Sequence, residues 1–253
     1  MSEDDTKNMQ VGPKDIGLLF LANFVHQVVN PISGVIGTLD NVVDGTYDAV
    51  KAKQVINASR AQLEQCISLI RNLAYLSDFF FETSEKGELR KAREAVTSVL
   101  PQVIIESIQF FQGAGEKKGI KLELVNASDQ YRIAARPELL KQVFINLFDN
   151  WLKYGERNQT VVILSKVNSK KELIVELSGK SIGFSNSDSE NIFNMGFRSK
   201  EAHGKVAQGS GIGLFICRKI TEEILEGTIS ATHSPKTATT TFRISIPKNL
   251  WQL

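Results

Sequence analysis

Cysteine is nearly absent. Cys66 and Cys217 stand alone among 253 residues, without a partner at a metal-ligand or redox spacing. Two isolated thiols argue against a disulfide framework or a zinc knuckle, and they fit a reduced, cytoplasmic setting. Long hydrophobic runs are missing as well: none reaches the ~18–20 unbroken apolar residues of a membrane span, so no membrane segment is expected. Neither charge sign dominates, since 30 Lys and Arg against 28 Asp and Glu leave a formal +2. With no dense basic block, nucleic acid is not an expected partner. The opening residues, MSEDDTKNMQ, lack the basic start and apolar core of a signal peptide and read as a disordered tail over 1–13. Nothing repeats at a solenoid period.

What is there is enough apolar residue, 42 %, to build a real core in one or two domains. From Lys14 to Val43 the only proline is Pro31, and no turn cluster intervenes before Asp44-Gly45-Thr46. That cluster reads as a helix stop and restart, with Thr46 as N-cap. From Tyr47 to Phe81 there is neither Gly nor Pro. In that stretch Leu63, Cys66, Ile67, Ile70, Leu73, Ala74 and Ser77 follow 3-4-3 spacing, one packing seam. Two long antiparallel helices result, and a hairpin cannot cover both seams by itself. A second copy, giving a four-helix bundle across a homodimer, is the economical solution; packing of the hairpin on its own C-terminal domain is the alternative.

The polar stretch ETSEKGELRKARE places a domain boundary near Lys86-Gly87, separating a helical domain over 14–86 from a mixed one over 87–253. VLPQVIIESIQFFQGAGEKKG reads as a helix ending at glycines, IKLELVN as a strand, and PELLKQVFINLFDNWLKYG as a helix with Pro137 in a permitted first-turn position. TVVILSKVN and ELIVELSG are strands about a Ser-Lys-Lys turn. GIGLFICRKITEEILEG is a helix opening on glycines, and TISATHS with TTTFRISIP closes as a hairpin. Strands and helices do not alternate regularly, so the fold class is α+β, with helices on one face of a mixed sheet.

Three stretches carry chemistry. On NLFDNWLKYG, Asn146, Asn150 and Lys153 lie at i, i+4 and i+7 and share one helical face. Amide oxygens can ligate Mg²⁺ and a lysine can meet phosphate, although such a face is also an ordinary solvated helix surface. GSGIGL, Gly209 to Leu214, opens a helix; its glycines allow close backbone approach, and the helix start offers N–H groups to phosphate. Before it, RSKEAHGKVAQ reads as a mobile lid with Arg198 and Lys200 able to reach phosphates. Finally, FVHQVVNPISG places His26 five residues ahead of Pro31 in an otherwise good helix. Pro31 cannot donate to the carbonyl of Gln27, which loosens the turn after the histidine.

In this order the motifs resemble those of sensor histidine kinases, from about Gly17 to Pro247. FLANFVHQVVNPISGVIG is similar to the phosphoacceptor box, NLFDNWLKYG to the asparagine box, IFNMGFRSK to the phenylalanine box and GSGIGL to the second glycine box. The resemblance implies a dimerising, histidine-bearing four-helix bundle (the phosphotransfer domain over 14–86), followed by an ATP-binding α/β sandwich of the gyrase, chaperone and histidine kinase type. It implies ATP and Mg²⁺ as cofactors and a response-regulator receiver domain as partner. By the same resemblance His26 accepts the phosphoryl group, Asn146 and Asn150 hold Mg²⁺, and Lys153 and Tyr154 line the nucleotide. Gly183, Gly209, Gly211 and Gly213, with Leu214, belong to the glycine boxes. Phosphoryl transfer of this sort depends on positioning and charge neutralisation, and a neutral imidazole supplies the nucleophile.

Two departures stand out. The family pattern is roughly Asp-x-Gly-x-Gly where this chain reads ELSGKSIGF, so Gly179 replaces the aspartate that accepts a hydrogen bond from the adenine amino group and Ser181 replaces the first glycine. Losing a charge-assisted hydrogen bond of ~1.5–3 kcal/mol implies nucleotide binding weakened roughly 10- to 150-fold, with Ser178 or Ser181 as partial substitutes and Ser181 as a source of turn strain. Gln27 follows His26 where Glu or Asp is usual; it can fix a tautomer but is no base at neutral pH, a loss of ~10²–10⁴ in rate where such help is needed. Asn30 matches the polar position that orients water for dephosphorylating a regulator. His203 and His233 read as ordinary histidines, Cys66 and Cys217 as core residues. Trp151, where a small residue is usual, either narrows the pocket or fills core. The functional expectation is a protein-histidine kinase core of a two-component system. The alternative is a pseudokinase acting as phosphotransferase, regulator phosphatase or dimeric scaffold. An ATPase chaperone or topoisomerase relative would share only the C-terminal fold.

Overall fold

The computed structural model describes residues 13–81, 97–205 and 211–253; for 13–24, 26–27, 61, 64–65, 68–69, 71–81 and 203–205 it describes the backbone alone. The expected tail over 1–13, Pro13 apart, and the boundary near Lys86 lie outside the described residues. Two compact units divide between Ser77 and Asp78.

The first unit holds α1 (Pro13–Val43) and α2 (Ala49–Phe81). α1 is helical on both sides of Pro31. Its end is a Schellman closure: Gly45, at φ 70°, donates its N–H to Val42 O and Thr46 donates to Asn41 O. Thr46 is therefore spent finishing α1 and does not cap α2. Asp48 does so, accepting the Lys51 N–H at 2.7 Å. The single seam expected on α2 is two. Val28, Pro31, Val35, Thr38 and Val42 on α1, and Ala52, Val55, Ser59, Gln62 and Cys66 on α2, are buried or half-buried at 3-4 spacing. Across that inner seam the Cys66 thiol reaches Val28 O at 3.7 Å. Val25, Val29, Ile36, Leu39 and Val43 form a second row that stays exposed, and with it Leu63, Ile67 and Ile70. Cys66 thus faces inward while its apolar neighbours in sequence face outward. The side chains of Leu73, Ala74 and Ser77 are outside the described set.

The second unit begins with β1 (Ser98–Val99) and α3 (Leu100–Lys118), which ends at Gly119 in the left-handed conformation. Next come β2 (Ile120–Leu124), β3 (Arg132–Ile133) and α4 (Pro137–Tyr154), which starts at Pro137 as expected. β4 (Gln159–Val167) and β5 (Leu173–Lys180) follow, then the short α5 (Lys200–Lys205) and α6 (Gly213–Lys219). α6 widens into a π turn over Ile220–Ile224 in place of the single helix expected there. β6 (Thr228–Ser234), β7 (Thr239–Ile246) and β8 (Trp251–Gln252) close the chain.

The main sheet has the order β2-β4-β5-β7-β6, with β2 parallel to β4 and the other pairs antiparallel. Alternation along the strands sets its inner face: Val161, Ile163, Val175, Leu177, Phe242 and Ile244 are all buried. α4 is buried at every position from Gln142 to Phe148, wider than a single apolar stripe, because it is packed among α3, the sheet and α6. A second sheet, β1-β3-β8, was not expected; strands of two residues carry no periodicity to read.

Candidate functional site

α4 presents its polar face as the spacing requires, and each member has a distinct environment. Asn146 is buried, accepts a hydrogen bond from Gln142 Nε2 at 3.2 Å, and has no conventional acceptor for its own Nδ2. The Cys217 thiol lies within reach of that amide: burial pushes the thiol well above its ordinary pKa, while Asn146 and a backbone contact pull the other way. Gly213 starts α6 with Asn146 Oδ1 3.4 Å from where a Cβ would stand, so helix start and amide face each other closely. Asn150 donates Nδ2 to Asn146 O at 3.0 Å, which leaves its amide oxygen as the ligand a cation would use. Lys153 is held by Asp149 at 2.5 Å.

The glycine loop is described from Gly211 on; Gly209 lies outside the described residues. Gly211 is at φ 66°, its carbonyl accepts the Gly196 N–H at 3.0 Å, and an added Cβ would stand 2.6 Å from Gly196 C. Only glycine fits that approach. Leu214 is half-buried. In the lid segment Arg198 turns its Nη2 to Ala202 O at 3.4 Å, and Lys200 is exposed at the start of α5. This half of the site, with its buried amide, cation-capable oxygen and glycine-tight loop, fits a metal and phosphates.

The other half does not fit a base. Gly179 lies on the inner sheet face beside Val161, with Thr240 opposite in the β5–β7 register. A Cβ there would meet Gln159 Oε1 at 2.9 Å, Val161 Cγ2 at 3.1 Å and Trp151 Cζ3 at 3.4 Å. Trp151 is 2 % exposed and stands edge-on to Phe242, centroids 6.0 Å apart at 84°. Gln159 binds the strand end as a backbone would: Oε1 accepts the Lys180 N–H at 2.6 Å and Nε2 donates to Lys180 O at 2.5 Å. Tyr154 ends α4, half-buried, and its carbonyl accepts the Ile182 N–H at 3.0 Å.

Neither serine replaces the missing aspartate. Ser178 points to the opposite sheet face and pairs with Thr241 at 3.0 Å. Ser181 is buried, 2.8 Å from Thr240 Oγ1, and accepts the Gly183 N–H at 3.1 Å. It is absent from the positive-φ residues, so the expected turn strain is not found. Gly183 is at φ 70° beneath His233, whose ring nitrogen would sit 2.2 Å from a Cβ there. His233, read from sequence as ordinary, thereby fixes the glycine turn, with its Nδ1 2.9 Å from Thr240 Oγ1. Sequence reasoning also missed Gln159, which no motif marks, and left Trp151 undecided.

His26 and Gln27 lie in α1, with backbone alone described; Asn30 is exposed one turn after His26 on the same helix.

Residues 135–250 match the family model described as histidine kinase-, DNA gyrase B-, and HSP90-like ATPase. The chain is 24 % identical over 250 residues to sensor protein KdpD of Clostridium acetobutylicum, covering 98 % of this chain and 26 % of that protein. It is 27 % identical over 224 residues to the adaptive-response sensory kinase SasA of Prochlorococcus marinus, covering 87 % and 54 %. The chain thus spans between about a quarter and about half the length of these curated relatives. In fold it is similar to Acinetobacter baumannii histidine kinase AdeS, with a TM-score of 0.60 at 20 % identity over 88 % of this chain and 98 % of that one. The catalytic domain of histidine kinase ThkA gives 0.51 at 28 % identity over 60 % and 95 %. ThkA in complex with response regulator protein TrrA gives 0.58 at 23 % over 97 % and 68 %.

Proposed function

We propose that the chain is a histidine-kinase transmitter core, on the match of residues 135–250 to the histidine kinase, gyrase and HSP90-like ATPases and the likeness to sensor kinases, and that it exchanges phosphoryl groups between His26 and the aspartate of a response-regulator receiver domain. It does so as a cytoplasmic homodimer. The exposed apolar row of Val25, Val29, Ile36, Leu39 and Val43 supports the dimer, since a second copy covers it. A receiver partner is supported by the likeness to ThkA, whose solved complex holds a response regulator.

The observation that favours receiver exchange over ATP-driven autophosphorylation is the crowding at Gly179, where even a methyl group meets three side-chain atoms within 3.4 Å. In the exchange, the acyl–phosphate P–O bond of the receiver breaks as a P–N bond to the His26 imidazole forms. The aspartate leaves as carboxylate and the ring proton goes to water. Gln27 serves by accepting the other ring N–H and fixing the tautomer. Asn30 orients water for hydrolysis of the receiver's acyl phosphate, which gives the core a phosphatase role.

A second reading, autophosphorylation of His26 from Mg²⁺-ATP, is favoured by the Asn146–Asn150–Gly213 half of the site, where the Asn150 amide oxygen remains for a cation and the α6 start closes on Asn146. One experiment weighs both. A receiver domain charged with labelled acetyl phosphate should pass acid-labile label to the wild-type chain and none to His26→Ala, while γ-labelled ATP should label neither appreciably. Rapid labelling from ATP would reinstate the kinase; no transfer from the receiver would overturn the exchange.

A further inference from the structure

We propose that the Trp151 indole occupies, from inside the fold, the recess in which this type of domain seats its nucleobase, with Gln159 sealing the edge, so that the domain is closed to adenine nucleotides. This rests on reading the C-terminal unit as an ATPase relative, and it goes further than the loss of one anchoring carboxylate. Indole and adenine are both planar fused five- and six-membered rings. The indole lies against the inner sheet face, its Cζ3 3.4 Å from where a Cβ on Gly179 would stand, with Phe242 at its edge. Its Nε1–H is buried without a hydrogen-bond partner. Buried indoles usually find one, so the walls around this ring are not furnished for an indole.

The polar groups nearby are also committed elsewhere. Thr240, buried and facing Gly179, shares its hydroxyl with Ser181 and His233. Gln159 stands half-buried at the edge of this recess and uses both ends of its amide on Lys180. Glycine at 179 is then what the plug requires: an aspartate would drive its first carbon into the Gln159 amide and the Val161 methyl. Trp151, Gln159 and Gly179 form one substitution set, and restoring the acid alone restores nothing.

The test is a calorimetric titration of Mg²⁺-ATP into the full chain, its Gly179→Asp form, and the Trp151→Ala/Gln159→Ala/Gly179→Asp form, with circular dichroism to confirm folding. The wild type and Gly179→Asp should show no saturable binding up to about 1 mM, and the triple form should bind at least ~10-fold more tightly. Saturable micromolar binding by the wild type would overturn the proposal, as would a folded triple form that gains nothing. If the triple form does not fold, Trp251→Phe decides, because it leaves Trp151 as the only indole. Acrylamide should barely quench its fluorescence, with or without Mg²⁺-ATP. Quenching that increases with nucleotide would mean the ring swings out, and the plug would be wrong. Receiver exchange at His26 is assayed without nucleotide, so the two readings can fail separately.

Discussion

The two ends of α4 meet different surroundings. Near Asn146 an amide N–H is buried with only the Cys217 thiol in reach, and a Cβ on Gly213, at the start of α6, would stand 3.4 Å from Asn146 Oδ1. Near Trp151, one turn further on, a Cβ on Gly179 would meet Gln159, Val161 and the indole itself. The first end is built largely from backbone geometry and short amides, and glycine positions such as Gly211 are held by the fold itself. The second end depends on a void and on one carboxylate. On the proposed reading two residues are enough to remove it: Trp151 in the void and Gly179 in place of the acid.

Breaking the filled end should have the largest effect on stability. Trp151→Ala removes a side chain 2 % exposed, and urea unfolding should report a loss of ~3–5 kcal/mol in the C-terminal unit. Gly179→Ala should cost about 1 kcal/mol, since its Cβ would displace the Gln159 amide, whose Oε1 stands 2.9 Å away, from its bonds to Lys180; thermal unfolding reads it. Were either change neutral, the filled end would be looser than described.

The outer face of the same sheet offers a control far from the site. Glu176 is held below the ordinary carboxylate pKa, first by its hydrogen bond with Lys166 and then by Arg243, with burial opposing both. A lowered folded pKa stabilises above the unfolded value of ~4.3 and is lost as pH falls through the folded value. Glu176→Gln should therefore cost about 1 kcal/mol near neutral pH, the partners being half-exposed, and the difference from wild type should vanish at lower pH. The smallest effect is expected at the open end. Asn146→Ala gives up the bond from Gln142 but also removes a buried Nδ2 with only the Cys217 thiol in reach, so the net change should stay under ~1 kcal/mol. A loss as large as that of Trp151→Ala would erase the contrast.

Much of this was legible in the chain. A stretch with one proline and no turn cluster before Asp44 marked α1, the lack of glycine and proline from Tyr47 to Phe81 marked α2, and the alternation of IKLELVN marked β2, because burial on one face leaves a period to read. The Asn146–Asn150 face and the Gly213 helix start could be placed before any coordinates. What was not legible depends on contacts across the fold. Cys66 shares its spacing with Leu63 and Ile67, so only packing reveals that it belongs to the inner seam. Ser178 and Ser181 looked alike as stand-ins for the acid, yet strand parity sends Ser178 to the other face. His233 is tied to Gly183 through a hairpin far along the chain, a relation that no local pattern carries. Trp151 was conspicuous from the start; which of its two readings holds depended on where Gly179 and Phe242 stood.

The central claim is that the base half of the site is filled by the protein's own side chains. The most direct measurement is the affinity of the purified wild-type chain for Mg²⁺-ATP by isothermal titration calorimetry. No saturable heat up to about 1 mM nucleotide, equivalent to binding weaker than about −4.1 kcal/mol, is the predicted result. A stoichiometric micromolar isotherm would contradict it.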